Sequence, residues 1–437
     1  MCRFPYNLIL YININIITLK QFNMITLITL IKNEYLDKSL IISDKKILYS
    51  NTISWNQVIL SIHSLQDIKV RFNNEIFNIN TRFTNILLNI ENKLNTEIQI
   101  EIEITCLYGL EIKSENIIYL LVQEYGFPQV ISLEPYNFIY SFDFNYYQGA
   151  FASINSLLVN LIEEELTNKI SKISKININL LIPKNEYSIV VKKLLDFILL
   201  TKSTVKFSIY LIDNNFLNEE ISKTQCFKGS GHLLKLSNYS RLIIGHIINT
   251  EKILYLDSDT IVCSDLTKIL DKTDNNFVIK GKKSKLNYYN LFNNKNIQYF
   301  KKENFDFDKN IIYTGTLLIN PFKYKKYFDK MLDVVKIHNE ILHLGGLYKL
   351  FTMSIINIGM EEEIKYFDDI LVNTVDLGYN KNIDLDEINK ADVLDWSGVY
   401  KPWFTNGLYQ EYWKKYNIFY KIKDSVIQNK NGTVESL

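Results

Sequence analysis

EKILYLDSDTIVCSDL, Glu251 to Leu266, carries the strongest chemical signal in the chain. KILYL reads as a short strand, Asp257-Ser258-Asp259 closes it, and apolar TIV follows. Two carboxylates at i and i+2 of an extended segment lie on one face, so Asp257 and Asp259 are expected to share a divalent ion. Hard oxygen ligands suit Mn²⁺ or Mg²⁺, which also bridge substrate phosphates. Such an ion stabilises the negative charge that builds on a departing diphosphate. The alternative for the same residues is a solvated turn.

Outward from this stretch, strands alternate with helices. NFIYSFD (Asn137 to Asp143) is a short apolar run ending in a carboxylate, and GAFASINSLLVNLIEEEL follows with helical spacing. The strand ININLLIP, the helix VVKKLLDFILL and the strand KFSIYLI come next. That alternation predicts an α/β fold with a doubly wound parallel sheet. Ligands of such sheets bind beyond the carboxyl ends of the strands, where Asp143, Asp257 and Asp259 fall. Before residue 136 the texture is different. Thr96 to Ile112, TEIQIEIEITCLYGLEI, alternates apolar and polar residues and predicts a strand pair around Gly109. His63 there is a lone histidine and reads as structural.

The bulk numbers exclude some classes. With 49 basic and 48 acidic side chains in 437 residues the net charge is +1, so no global field points to nucleic acid or an anionic membrane. Hydrophobic content of 47% supports a sizeable core. Cys2, Cys106, Cys226 and Cys263 are too widely spaced for a zinc ribbon and fit free thiols in a reducing compartment, hence a cytoplasmic location. The leader is apolar but broken by Asn13, Asn15, Lys20 and Gln21, short of the ~20 clean residues that span a bilayer. It reads as a degenerate signal segment or as residues ahead of a true start at Met24, and a peripheral membrane association is compatible with it. The expected division is a leader over 1–25, a strand-leaning accessory domain over 26–135, the α/β domain over 136–421 and a polar tail over 422–437.

Several ordered motifs together resemble glycosyltransferase family 8, which includes glycogenin, the bacterial lipopolysaccharide glucosyl- and galactosyltransferases and the plant galacturonosyltransferases. Leu256 to Val262 with Asp265-Leu266 is similar to the family's YLDxDxxV segment and its following Asp-Leu. SNYSRLIIGHII, with Arg241, resembles the Arg-Leu helix before that strand, and Asp143 to Tyr146 resembles the family's opening. IIYTGTLLIN resembles the small-Gly-apolar strand, with Tyr313 where the family often has Asn. DVLDWSGVYKPWF resembles the His-x-x-Gly-x-x-Lys-Pro-Trp element, with Asp395 in place of the histidine. No Asp-Gln-Asp segment stands between them; Asp368-Asp369 is a stand-in or a solvated pair. DLGYN (Asp376 to Asn380) and the tail GLYQEYWKKY look closer to the plant and animal branch.

The resemblance implies a Rossmann-like GT-A nucleotide-sugar transferase domain behind a smaller N-terminal accessory domain. It implies a retaining, metal-dependent transfer of a hexose, glucose or galactose, from a UDP-sugar to a glycan or glycolipid acceptor. Asp257, Asp259 and Asp395 would hold Mn²⁺ or Mg²⁺. Asp143 and Tyr146 would contact the uridine, and Arg241, Ser258, Gly315, Gly398 and Lys401 would complete the donor site, with Lys401 on the diphosphate. Trp403 would pack the closing segment. The resemblance designates no nucleophile. Two rival readings remain, a nucleotide-sugar-binding protein that has lost catalysis and a metal-dependent phosphohydrolase.

Overall fold

The computed structural model describes residues 135–419, apart from 169–174, 202, 204, 213–234, 368–371, 380 and 399, and the backbone of strands between residues 25 and 131. Strand β1 (Tyr136–Ser141) is buried on both faces, as its unbroken apolar run requires of a central parallel strand. Asp143 then accepts from the Asn145 N–H at 2.8 Å, capping a single 3₁₀ turn that leads into α1 (Tyr147–Asn168). Ala150, Phe151, Ile154, Leu157, Leu158 and Leu161 recur at helical spacing and form the face of α1 that packs on the sheet. Each such Leu, Ile or Phe contributes roughly 1.5–3 kcal/mol on burial. Strand β2 (Ile176–Pro183), helix α2 (Tyr187–Thr201) and strand β3 (Lys206–Ile212) repeat the pattern.

The chain then returns across the sheet. Short helical turns over 236–247 lead to β4 (Ile253–Leu256), which pairs in parallel with β1 on the side away from β2. Beyond β4 lie β6 (Ile279–Asn287) and β7 (Asn310–Ile319), with β7 antiparallel to both β4 and β6. A short strand β8 (Ile364–Tyr366) closes that edge, so the order is β8-β6-β7-β4-β1-β2-β3. Past β3 the backbone of Ile117–Glu124 continues the sheet in parallel, followed by Ile25–Lys32, Gln57–Ser64 and Phe83–Asn89.

A second sheet sits beside the ends of β1 and β4. It joins β5 (Thr260–Val262), β10 (Val393–Asp395) and β9 (Thr374–Asp376), with Thr260 opposite Asp395 and Asp376 level with it. Helices α4 (Phe328–Glu340) and α5 (Phe351–Gly359) cover the β6–β7 lobe. Asp265 accepts from the Thr267 N–H at 2.8 Å and so starts the short helix α3 (Thr267–Lys272).

Two local expectations change. Thr96 to Ile112 was expected to pair with itself about Gly109. Its strands, Ile98–Glu101 and Glu103–Cys106, pair instead with Lys46–Tyr49 and Ile68–Phe72, and Gly109 lies outside the described residues. Asp257 to Asp259 is not extended either. The chain leaves β4 at Leu256, turns at Ser258 and Asp259, and enters the other sheet at Thr260, whose hydroxyl donates to the Asp257 carbonyl at 2.8 Å. Strand alternation therefore does not set the relation between the two carboxylates. The His63 side chain and Asp368-Asp369 also lie outside the described residues.

Candidate active site

From β1 the chain winds outward to β2 and β3, then returns to β4 on the other flank of β1. The connections beyond these two adjacent strand ends run in opposite directions and open a crevice there. Asp143 lies at the mouth of β1 and Asp257 at the mouth of β4. Asp143 is buried, and Lys235 Nζ lies 2.7 Å from its Oδ2.

Arg241 holds Asp257. Its Nη2 donates to Asp257 Oδ1 at 2.9 Å and to Asn238 Oδ1 at 2.7 Å, while Nη1 donates to the Thr314 carbonyl at 3.3 Å. The guanidinium also lies over the Tyr255 ring, 4.9 Å from its centroid. Burial, the largest single influence, works against the charge on Arg241, but Asp257, Tyr255 and Asp259 together outweigh it and hold the guanidinium protonated more firmly. Burial raises the Asp257 carboxyl above its ordinary range; Arg241 opposes the rise and Asp259 adds to it. Arg241 thus positions Asp257 through a bridge between the helical segment, β4 and β7.

Lys401 does the same for Asp259. Its Nζ donates to Asp259 Oδ2 and, at 2.6 Å, to the Trp396 carbonyl. The side chain is almost wholly buried, and Asp259 holds its ammonium charged against the cost of burial. Lys401 comes from a segment more than a hundred residues downstream and is delivered to the crevice by β10 and the turn after it.

Asp395 is the anomaly. It is 0% exposed, and neither carboxylate oxygen has a partner of hydrogen-bonding geometry among the described residues. Burial first, then the charges of Asp259, Asp376 and Asp257, push its carboxyl well above the usual range, while the Tyr313 hydroxyl pulls the other way. A side chain on Gly315 would place its Cβ 2.5 Å from Asp395 Oδ2 and 2.7 Å from Tyr313 Cε1. Gly315 is therefore the gap through which β7 approaches this carboxylate. The Tyr313 phenol is raised far above its normal value, by burial first and then by the same four acids.

A buried carboxylate with two orphaned oxygens beside two further carboxylates matches, in chemical type, the donor set of a hard divalent ion. In this conformation Asp257 and Asp259 are each turned onto a cation of the protein. Among the described residues no three Asp, Glu, His or Cys side chains are gathered into a ready ligand set.

The remaining expected residues frame the crevice. Tyr146 sits edge-on to Trp403 with ring centroids 5.4 Å apart. Burial raises its phenol to about 12, with Lys401, Asp259, Asp143 and Asp257 as its charged neighbours. Ser258 is buried, and its carbonyl would lie 2.5 Å from a Cβ on Gly149, as would Trp403 Cζ3. Gly398 has φ +87°, and a Cβ there would meet the Tyr379 ring at 2.5 Å. Cys263 forms no disulfide.

Three participants were not singled out from the sequence. Gly149 stands inside α1, where glycine costs about 1 kcal/mol relative to alanine; that penalty was the legible sign of a close approach. Asp376 accepts from the Gly378 N–H at 2.9 Å and from the Ser397 hydroxyl, and it reaches Asp395 only because β9 and β10 pair in register. Asp392 ties the small sheet to α3, accepting from Lys268 Nζ and the Asn373 N–H. Nothing local in the sequence distinguishes these last two from solvated acids.

The fold is an α/β fold of the Rossmann-like GT-A class, with its polar groups at the switch between β1 and β4. The chain belongs to glycosyl transferase family 8, whose model matches residues 137–407. Similar solved structures include the bifunctional glycosyltransferase WbbM, at 18% identity and TM-score 0.47, over 67% of this chain and 51% of that one. The glycosyltransferase GlyE of Streptococcus pneumoniae TIGR4 is 17% identical with TM-score 0.43, over 68% of this chain and 64% of its own. The galactosyltransferase LgtC, solved with donor and acceptor sugar analogues, is 16% identical with TM-score 0.43, over 64% and 95%. This chain spans about half the length of WbbM and under two thirds of GlyE. Among the described residues no helix is long and apolar enough to cross a membrane.

Proposed function

We propose that the protein is a retaining, metal-dependent glycosyltransferase that moves a hexose, glucose or galactose, from a UDP-sugar to a glycan or glycolipid acceptor in the cytoplasm. The observation that carries this reading is the wholly buried, orphaned Asp395, which feels the charges of Asp259 and Asp257, with Lys401 on Asp259. Asp257, Asp259 and Asp395 would hold Mn²⁺ or Mg²⁺, which when bound supplies a Lewis acid for the charge on the leaving diphosphate. Lys401 would bind the diphosphate as a point charge and Asp143 and Tyr146 the uridine. Arg241 keeps Asp257 aimed at the crevice, and Gly315 and Tyr313 floor the sugar end. An accessory domain over 26–135 would precede the transferase domain, with its strands Ile117–Glu124 and Ile25–Lys32 continuing that domain's sheet.

A second reading, a nucleotide-sugar binder without turnover, draws on Tyr313 beside Asp395 and on the two cations that occupy Asp257 and Asp259. Mn²⁺-dependent hydrolysis of a panel of UDP-sugars separates the two. Turnover is expected in the wild type, loss of at least roughly 10- to 100-fold in Asp395→Ala, the range lost with even the outer groups that support a metal site, and partial activity in Asp395→His. Full activity in Asp395→Ala would show that the site works with two protein ligands.

A further inference from the structure

Charged neighbours order the crevice along its length. Tyr146 stands among Lys401, Asp259, Asp143 and Asp257, whereas Tyr379 stands among Asp376, Lys401, Asp395 and Asp259. Asp259 and Lys401 are neighbours of both rings, while Asp143 and Asp257 stand by Tyr146 and Asp376 and Asp395 by Tyr379. If the diphosphate lies on Lys401 and the nucleoside towards Asp143, the Tyr379 flank is where the transferred sugar and the group that receives it must meet.

Tyr379 is unusual in itself. It is 66% exposed, the most exposed large apolar side chain among the described residues. Singly exposed apolar side chains are ordinary on a protein surface, yet this ring is backed by the chain. Gly398 lies directly behind it at φ +87°, and a Cβ there would stand 2.5 Å, 2.6 Å and 3.0 Å from three of its ring carbons. The neighbouring Gly378 is pressed more closely still on the Ser397 carbonyl, 1.5 Å from where a Cβ would stand, and Asp376 accepts from the Ser397 hydroxyl and the Gly378 N–H. Two loops therefore cross with a glycine from each at the contact, and the crossing leaves the Tyr379 ring largely exposed beside Asp376, within reach of the charges of Lys401, Asp395 and Asp259. A preplaced ring loses little freedom on binding and offers an apolar face, while Asp376 beside it retains acceptor capacity for hydroxyl groups.

We propose that Tyr379 is the platform on which a sugar ring of the acceptor stacks, with Asp376 accepting from that sugar's hydroxyls. The inference rests on the reading of the crevice as a nucleotide-sugar site. It names a carbohydrate acceptor and the residue that holds it.

Saturation-transfer NMR on the full chain, with UDP and Mn²⁺ present, tests it using methyl α- and β-glycosides of glucose and galactose together with lactose and maltose. At least one of these sugars should bind the wild type and Tyr379→Phe alike. In Tyr379→Ala its affinity should fall roughly tenfold, the scale of one well-placed aromatic contact. Calorimetric titration with UDP should give affinities within about threefold in all three proteins, which also establishes that each is folded. Equal sugar binding in Tyr379→Ala would overturn the inference, as would UDP binding to the wild type with none of the sugars bound. Lost UDP affinity with sugar binding intact would assign the ring to the nucleobase and overturn it too. Failure of UDP to bind the wild type would instead remove the nucleotide-sugar reading, and the inference with it.

Discussion

Asp395 shows how one residue can be chemically costly and still be held in place. Its carboxyl titrates well above the unfolded value because burial and three neighbouring acids disfavour the charge. For an acid with a raised folded pKa, the stability from the protonated form is present at low pH. It is lost as pH rises from the unfolded value towards the folded one. Metal-free Asp395→Asn should therefore melt higher than wild type at neutral pH, by roughly 1–2 °C for each kcal/mol relieved in a chain of this size. The gain should shrink below pH 4, and differential scanning fluorimetry across pH reads it. No gain at pH 7 would mean that Asp395 is already compensated. The aspartate was visible in the sequence as a departure from a familiar pattern. Its lack of a partner was not, because that depends on what β5, β7 and β9 place around it.

Among the elements, α4 carries a buried histidine that no motif announced. His338 Nδ1 accepts from the backbone N–H groups of Leu347 at 3.1 Å and Tyr348 at 3.0 Å, and its ring stacks on Tyr348. Burial lowers its pKa from 6.5 to about 4, so it is neutral in the folded protein. The sign follows. Above pH 6.5 its contribution is complete, and as pH falls towards 4 the unfolded chain takes up a proton that the folded one resists. The loss tends to roughly 3 kcal/mol, since each tenfold drop in proton affinity is worth about 1.4 kcal/mol. Urea melts between pH 7 and 4 should show this decline in the wild type and a flatter one in His338→Gln. Parallel curves would exonerate His338. The strands and helices of the α/β region were legible from periodicity, since β1 to β4 are apolar runs and α1 and α2 carry apolar stripes. The short β5, β9 and β10 were not, because three residues are too few to show a period.

For the molecule as a whole, a divalent ion bound as proposed would compete with Lys401 for Asp259, which would link metal binding to folding. An ion that binds only the folded state adds about 2.7 kcal/mol at a hundred times its Kd. Mn²⁺ should raise the melting temperature of the wild type. In Lys401→Met, where the internal cation is gone, the apo protein should melt lower and the Mn²⁺-induced rise should be larger. A smaller rise in Lys401→Met would mean that Lys401 assists the ion. The alternating apolar strands and helices determined the sheet by themselves, because hydrophobic burial depends on spacing along the chain. The ordered motifs around Arg241, Asp257, Gly315 and Lys401 likewise marked the family. Whether Asp257 and Asp259 face each other was decided only in three dimensions, by a turn at Ser258 and by two cations arriving from elsewhere. The same holds for Asp376, level with Asp395 through strand register, and for Tyr379, set against Gly398 where two loops cross. These are contacts between segments far apart in sequence, and a single chain read in order carries no measure of which distant carboxylate, cation or ring will stand beside which.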